Sequence, residues 1–131
     1  MTVQTLTHPV LGTLIESQGP FATYFSENDD YDLSLFIDEE TGIWLVKLEV
    51  DWFPTFSDRI QTAEKDFALD GKYLQAYGRG AFTNRMEELY DKVAHEQLDF
   101  LPIWYRGEIR NHIMDLMQEA FDRIDAGEMP Q

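Results

Sequence analysis

Residues 31–37 alternate in character. Tyr31, Leu33, Leu35 and Ile37 share one parity, and Asp32, Ser34, Phe36 and Asp38 the other. A period of two predicts a strand with one buried face. Residues 43–52 repeat the pattern more strongly. Trp44, Val46, Leu48, Val50 and Trp52 fall on one face, Ile43, Leu45, Lys47, Glu49 and Asp51 on the other, and Pro54 closes the run. Between them, Glu39-Glu40-Thr41-Gly42 suits a four-residue hairpin loop. Two shorter strands are expected earlier, over Leu11 to Glu16 and Phe21 to Phe25, separated by a turn at Gln18-Gly19-Pro20. Glu27 to Asp30 reads as a polar turn.

Helical spacing follows. Ser57 is an expected N-cap for a short helix through Phe67, with Ile60, Ala63 and Phe67 on one face, broken by Asp70-Gly71. Residues 72–82 carry Tyr73, Tyr77, Gly78 and Gly80 and specify no element. Asn84 with Glu87 resembles a capping box opening a helix to Gln97, with Met86, Leu89, Tyr90, Val93 and Ala94 inward. After Pro102, a last helix over 105–125 carries an apolar stripe of Ile109, Ile113, Leu116, Met117, Ala120, Phe121 and Ile124, with Gly127 as its stop. Strands followed by helices give an α+β fold: an N-terminal antiparallel sheet of about four strands with two or three C-terminal helices packed on one face. One domain covers 1–131, with 1–56 mainly strands, 57–126 mainly helices and 127–131 a frayed tail. Trp44, Trp52 and the stripe of the last helix should meet in one core.

Composition changes the picture chiefly through charge. The chain has 131 residues, with 25 acids and 10 bases, for a net charge of −15. That balance argues against direct nucleic-acid binding and against docking on an anionic membrane. There is no cysteine, so disulfides, thiol nucleophiles and cysteine-ligated zinc are excluded. No secretory leader and no apolar run of membrane-spanning length is present, so a cytoplasmic protein is the expectation.

The charge is unevenly placed. Residues 1–58 hold 11 acids against the single base Lys47, a net of −10, whereas residues 59–131 hold 14 acids and 9 bases, a net of −5. The rear half looks like a mixed surface with pairs such as Glu119–Arg123. In the front half, a hairpin would set Glu49 and Asp51 beside Asp38 and Asp32, where unpaired like charges destabilise the chain. One reading is a solubilising surface. The other is a docking surface for a basic partner, formed by Asp29, Asp30, Asp32, Asp38, Glu39, Glu40, Glu49 and Asp51. Any aromatic exposed beside these acids would be an anchor candidate.

Candidate chemistry is sparse. Glu108, His112 and Asp115 share an edge of the last helix and could approach a divalent ion, but a boundary histidine beside surface carboxylates explains them better. His95 near a helix end suits the dipole, and His8 before Pro9 suits a turn. Glu27 to Asp32 lacks the order of a calcium loop, and Gly78-Arg79-Gly80 is too short to cradle a phosphate. No Gly-x-Ser-x-Gly motif occurs. The sequence assigns no catalytic residue, no metal and no cofactor.

The opening His8-Pro9-Val10-Leu11-Gly12-Thr13-Leu14, followed by short strands and an acidic turn, resembles small acidic bacterial domains of the DUF2004/DUF2262 kind. The resemblance covers roughly residues 1–40. It implies a toxin neutraliser of the immunity-protein type and carries over no catalytic residue. Three expectations follow. The first is a non-enzymatic immunity protein or inhibitor capping a basic site on a toxin or nuclease. The second is a phage-type nucleic-acid mimic acting on restriction or CRISPR machinery. The third is an enzyme or small-ligand binder with a pocket around Trp44, Trp52 and Tyr77.

Overall fold

The computed structural model describes residues 4–8, 12–16, 20–26, 30–38, 41–52 and 61–128, with residues 4–8, 12–16 and 61 described by backbone alone. The elements are β1 (Gln4–His8), β2 (Gly12–Glu16), β3 (Ala22–Phe25), β4 (Tyr31–Ile37), β5 (Ile43–Trp52), β6 (Gln61–Asp70), α1 (Gly71–Gln97) and α2 (Ile103–Asp125). Strands β3-β4-β5-β6 form an antiparallel meander, and β1 and β2 pair with each other in a separate two-stranded sheet. The expected α+β arrangement is present, with a four-stranded sheet and two helices. Its membership differs from the expectation: β2 joins β1, and the fourth place in the sheet goes to β6. His8 ends a strand, paired to Gly12, instead of lying in a turn.

β6 replaces the short helix expected to run to Phe67. Ala63 and Phe67 are four apart, which places them on one face of a strand as well as of a helix. Pairing decides between the two. β6 is hydrogen-bonded to β5 in register from Ile43↔Asp70 to Trp52↔Gln61, and this ladder overrides the helix preference of its Ala, Glu, Lys and Leu residues.

The helices cover the face carrying Tyr31, Leu33, Leu35, Trp44, Val46, Leu48, Val50 and Phe67. The stripe of α2 lands there as expected, with Ile109, Ile113, Leu116, Met117, Ala120 and Phe121 buried and Ile124 partly so. Trp44 meets Phe121 and Phe82 at 5.3 and 5.0 Å between ring centroids, and Trp52 meets Tyr105 at 5.1 Å. Burial of each such side chain contributes roughly 1.5–3 kcal/mol.

α1 starts earlier than the capping-box reading places it. The Asp70 carboxylate accepts from the Lys72 N–H at 2.9 Å, so Asp70 is the N-cap and Asn84 lies inside the helix. Gly78, at φ 87° and ψ 173°, kinks α1. α2 ends as Gly127 predicts: the N–H of Gly127 bonds Ile124 O and that of Glu128 bonds Arg123 O, the paired pattern of a left-handed cap. Of the sequence readings, those at Pro9, Val10, Leu11, Gln18, Gly19, Glu27, Asp29, Glu39, Glu40, Pro54, Ser57, Ile60 and residues 129–131 lie outside the described residues.

Candidate functional site: the acidic face of the sheet

Residues opposite one another in an antiparallel ladder project to the same side. The register therefore reads the outer face row by row. One row is Phe25–Asp32–Glu49–Glu64, and the next toward the hairpin is Thr23–Ser34–Lys47–Asp66. Beyond Asp32, the Asp51 N–H bonds Asp30 O at 2.7 Å, which adds Asp30 and Asp51 as a further step of the same face. Asp30, Asp32, Glu49, Asp51 and Glu64 are thus gathered at one end, and Lys47 is the base on this face among the described residues. Its ammonium stands 5.4 Å from the centre of the Phe36 ring.

Local structure holds this end in place. Ser26 is buried and its hydroxyl accepts from the N–H groups of Asp30 and Tyr31 at 2.8 and 3.1 Å. The Asp51 carboxylate accepts from the Thr62 hydroxyl at 2.9 Å. Phe25, opposite Asp32, leaves 67% of its surface open. It is the exposed aromatic beside the acids that an anchor requires.

The expected cluster is therefore partly assembled. Asp32 faces Glu49, and Asp51 sits beside Asp30. Asp38 does not join them. It lies six residues along the strand from Asp32, about 20 Å at strand spacing. It is 7% exposed and shapes the hairpin: its N–H bonds Ile43 O at 2.9 Å and its carbonyl accepts from Gly42 at 2.7 Å. The helix expected through Phe67 hides Glu64, which the β5–β6 ladder places in the row of Asp32 and Glu49. At the Asp38 end the outer face turns apolar, with Ile43, Leu45 and Ala68 buried beside Phe36. Four arginines of the helices pair with acids outside the sheet: Arg79 with Asp125, Arg85 with Glu88, Arg110 with Asp91 and Arg123 with Glu128 just past α2.

On the opposite face, His112 of α2 bonds both sheet tyrosines. Its Nε2 lies 3.1 Å from the Tyr24 hydroxyl, and its Nδ1 bonds the Tyr31 hydroxyl. A neutral imidazole donates from one nitrogen and accepts at the other, so the two hydroxyls take opposite roles. Burial, reinforced by the charge of Glu108, pushes the Tyr31 phenol far above its ordinary value. Tyr105 is pushed the same way, first by burial and then by Asp30. Both stay neutral; the Tyr31 hydroxyl bonds His112, whereas the Tyr105 hydroxyl is buried with no partner among the described residues and its ring serves as packing. With both ring nitrogens engaged, His112 does not combine with Glu108 and Asp115 as a metal site. Among the described residues no group of three His, Cys, Asp or Glu is arranged to hold a metal ion.

Among the described residues, Trp44, Trp52 and Tyr77 do not line a common cleft. The two tryptophans are packed into the core, whereas Tyr77 lines a cleft of about 560 Å³ beside the end of β6, with Tyr73, Lys72 and Leu89. Among the described residues no helix is long and apolar enough to cross a membrane. Family models, curated proteins and solved structures give no match to this chain.

Proposed function

We propose that the protein is a non-enzymatic cytoplasmic inhibitor, of the immunity-protein type, whose acidic sheet face caps a basic site on a toxin or nuclease. The carrying observation is the row Phe25–Asp32–Glu49–Glu64, in which three carboxylates stand side by side next to an exposed aromatic ring. Like charges placed directly opposite one another in a sheet oppose folding. A cationic partner relieves that repulsion, accelerates encounter through the long-range field and is anchored by the ring. The short N-terminal resemblance to presumed toxin neutralisers points the same way.

A nucleic-acid mimic would need carboxylates strung at phosphate-like intervals along an extended surface. The described acids occupy neighbouring rows at one end of a sheet, a compact group that supports capping over mimicry. The test begins with affinity capture of the partner at low salt, followed by kinetics with the purified pair. Association should slow steeply with added salt and in Glu49→Lys and Glu64→Lys, and Phe25→Ala should speed dissociation. A bound partner whose rates ignore salt and all three substitutions removes the proposal.

A further inference from the structure

A second surface, remote in character from the acidic face, lies between the two helices. The C-terminal part of α1 and the N-terminal part of α2 enclose a groove of about 330 Å³, lined by Tyr90, Asp91, His95, Ile103, Arg106 and Arg110 among others. This volume is at the lower end of the range typical of small-molecule sites, roughly 300–1,000 Å³. In a chain of net charge −15, the groove concentrates two guanidinium groups and an imidazole against the single carboxylate of Asp91.

Three observations indicate what it takes. First, the Arg106 Nε is buried and has no hydrogen-bond partner among the described residues. A buried donor of that kind lacks an acceptor that a bound anion would supply. Second, Arg110 is only loosely held, with Nη1 3.4 Å from Asp91 Oδ1, so a better acceptor can draw it away. Third, α2 opens at Pro102 with no side-chain cap and no acid in its first turn, which leaves positive partial charge at the start of the helix where Ile103 lines the groove. That same turn exposes apolar surface: Ile103 is 79% and Trp104 66% accessible. Gly107 gives the floor its depth, since a Cβ there would meet no atom within 4 Å.

We propose that this groove binds a small carboxylate carrying an alkyl or aryl tail. The carboxylate is held by Arg106 and Arg110, and the tail lies over Ile103 and Trp104. Two guanidinium groups match a planar carboxylate, and the neighbouring apolar turn distinguishes a tailed acid from a bare anion.

The experiment titrates octanoate into the 131-residue chain by calorimetry and by backbone amide shifts. Acetate supplies the charge alone, octanol the chain alone and inorganic phosphate a tail-free anion. Octanoate should saturate one site, shift the amides of Ala94 and Gly107, and bind at least about tenfold more tightly than the three controls. Arg110→Gln should weaken it by about tenfold, as expected for loss of a charge-assisted contact, and Asp91→Asn should strengthen it by removing the internal competitor. Gly107→Leu fills open space in a helix, keeps the fold and should abolish binding. Absence of saturable binding overturns the proposal, as does phosphate binding as well as octanoate. Octanoate affinity unchanged in both Arg110→Gln and Gly107→Leu overturns it too.

Discussion

Tyr24 of β3 and His112 of α2 lie 88 residues apart in the chain and stack with ring centroids 4.1 Å apart, while the Tyr24 hydroxyl bonds Nε2 at 3.1 Å. With the second bond, from Nδ1 to Tyr31, this imidazole joins α2 to both strands at the short edge of the sheet. It fixes the strand that presents Phe25 on the other side.

Replacing His112 by Phe keeps the ring stack and removes both hydrogen bonds, leaving the buried Tyr31 hydroxyl without its imidazole partner. We expect a loss of about 1–3 kcal/mol, the cost of stranding a buried polar group. Urea denaturation measures it. A double-mutant cycle with Tyr24→Phe should return a coupling of roughly 0.5–1.5 kcal/mol, since the two groups touch. A cycle that closes at zero would mean that the stack, and not the hydrogen bond, joins helix to sheet.

The acidic row makes the opposite forecast. Because Asp32, Glu49 and Glu64 stand side by side, Glu49→Gln should stabilise the isolated protein at low salt, by roughly 0.2–1 kcal/mol. The gain should shrink at high salt, where exposed charges are screened. The same variant should bind a cationic partner more slowly. Stabilisation with weaker association is the signature of residues kept for docking; destabilisation would show that the row is compensated within the monomer.

Two glycines should respond oppositely to one added methyl group. The Gly71 N–H bonds Gly42 O at 2.8 Å, and a Cβ on Gly71 would stand 2.5 Å from that oxygen. Gly71→Ala should therefore cost about 1–3 kcal/mol by forcing apart the β6–α1 junction and the β4–β5 turn. Gly80 lies in α1 with nothing within 4 Å of an added Cβ. Gly80→Ala should stabilise by about 0.5–1 kcal/mol through helix propensity. Thermal melts of the two variants check both signs.

Much of this architecture was legible because burial and periodicity agree. The alternation over 31–37 and 43–52 has a single solution once one face is covered, and it puts Asp32, Glu49 and Asp51 on the outer face; the register that sets Asp32 opposite Glu49 comes from the structure. The stripe of α2 likewise admits one inward face. Reading failed where a local pattern fits two structures. Ala63 and Phe67 satisfy a strand and a helix alike, and only the ladder to β5 separates them, so Glu64 stayed hidden. Gly78 and Gly80 obscured the first turns of α1, although Asp70 held the capping signal two residues before Lys72. Asp38 was misplaced because acidity along the chain does not reveal which acids a turn will bury. The exposure of Phe25 follows from parity with Asp32, a signal available once the β3–β4 register is assumed.

The ion pair between Arg79 and Asp125 links the segment just after the α1 kink to the end of α2, with Nη1 and Nη2 of the guanidinium bonded to the carboxylate at 2.8 and 2.6 Å. The hydrogen bonds from Arg79, more than its charge, hold the Asp125 carboxyl below the usual carboxylate range. A carboxyl depressed on folding contributes stability above its unfolded value and loses that contribution as pH falls through the folded one. Wild type should thus exceed Asp125→Asn in stability by a constant margin near neutral pH. The margin should fade on acidification through the depressed range, and high salt should reduce it throughout because the pair is exposed. Arg79 also lies over the Phe121 ring at 4.8 Å, a contact that survives the substitution and leaves the core intact. Urea midpoints of both proteins across an acid pH series measure the margin directly, and one that widens toward low pH would contradict this assignment.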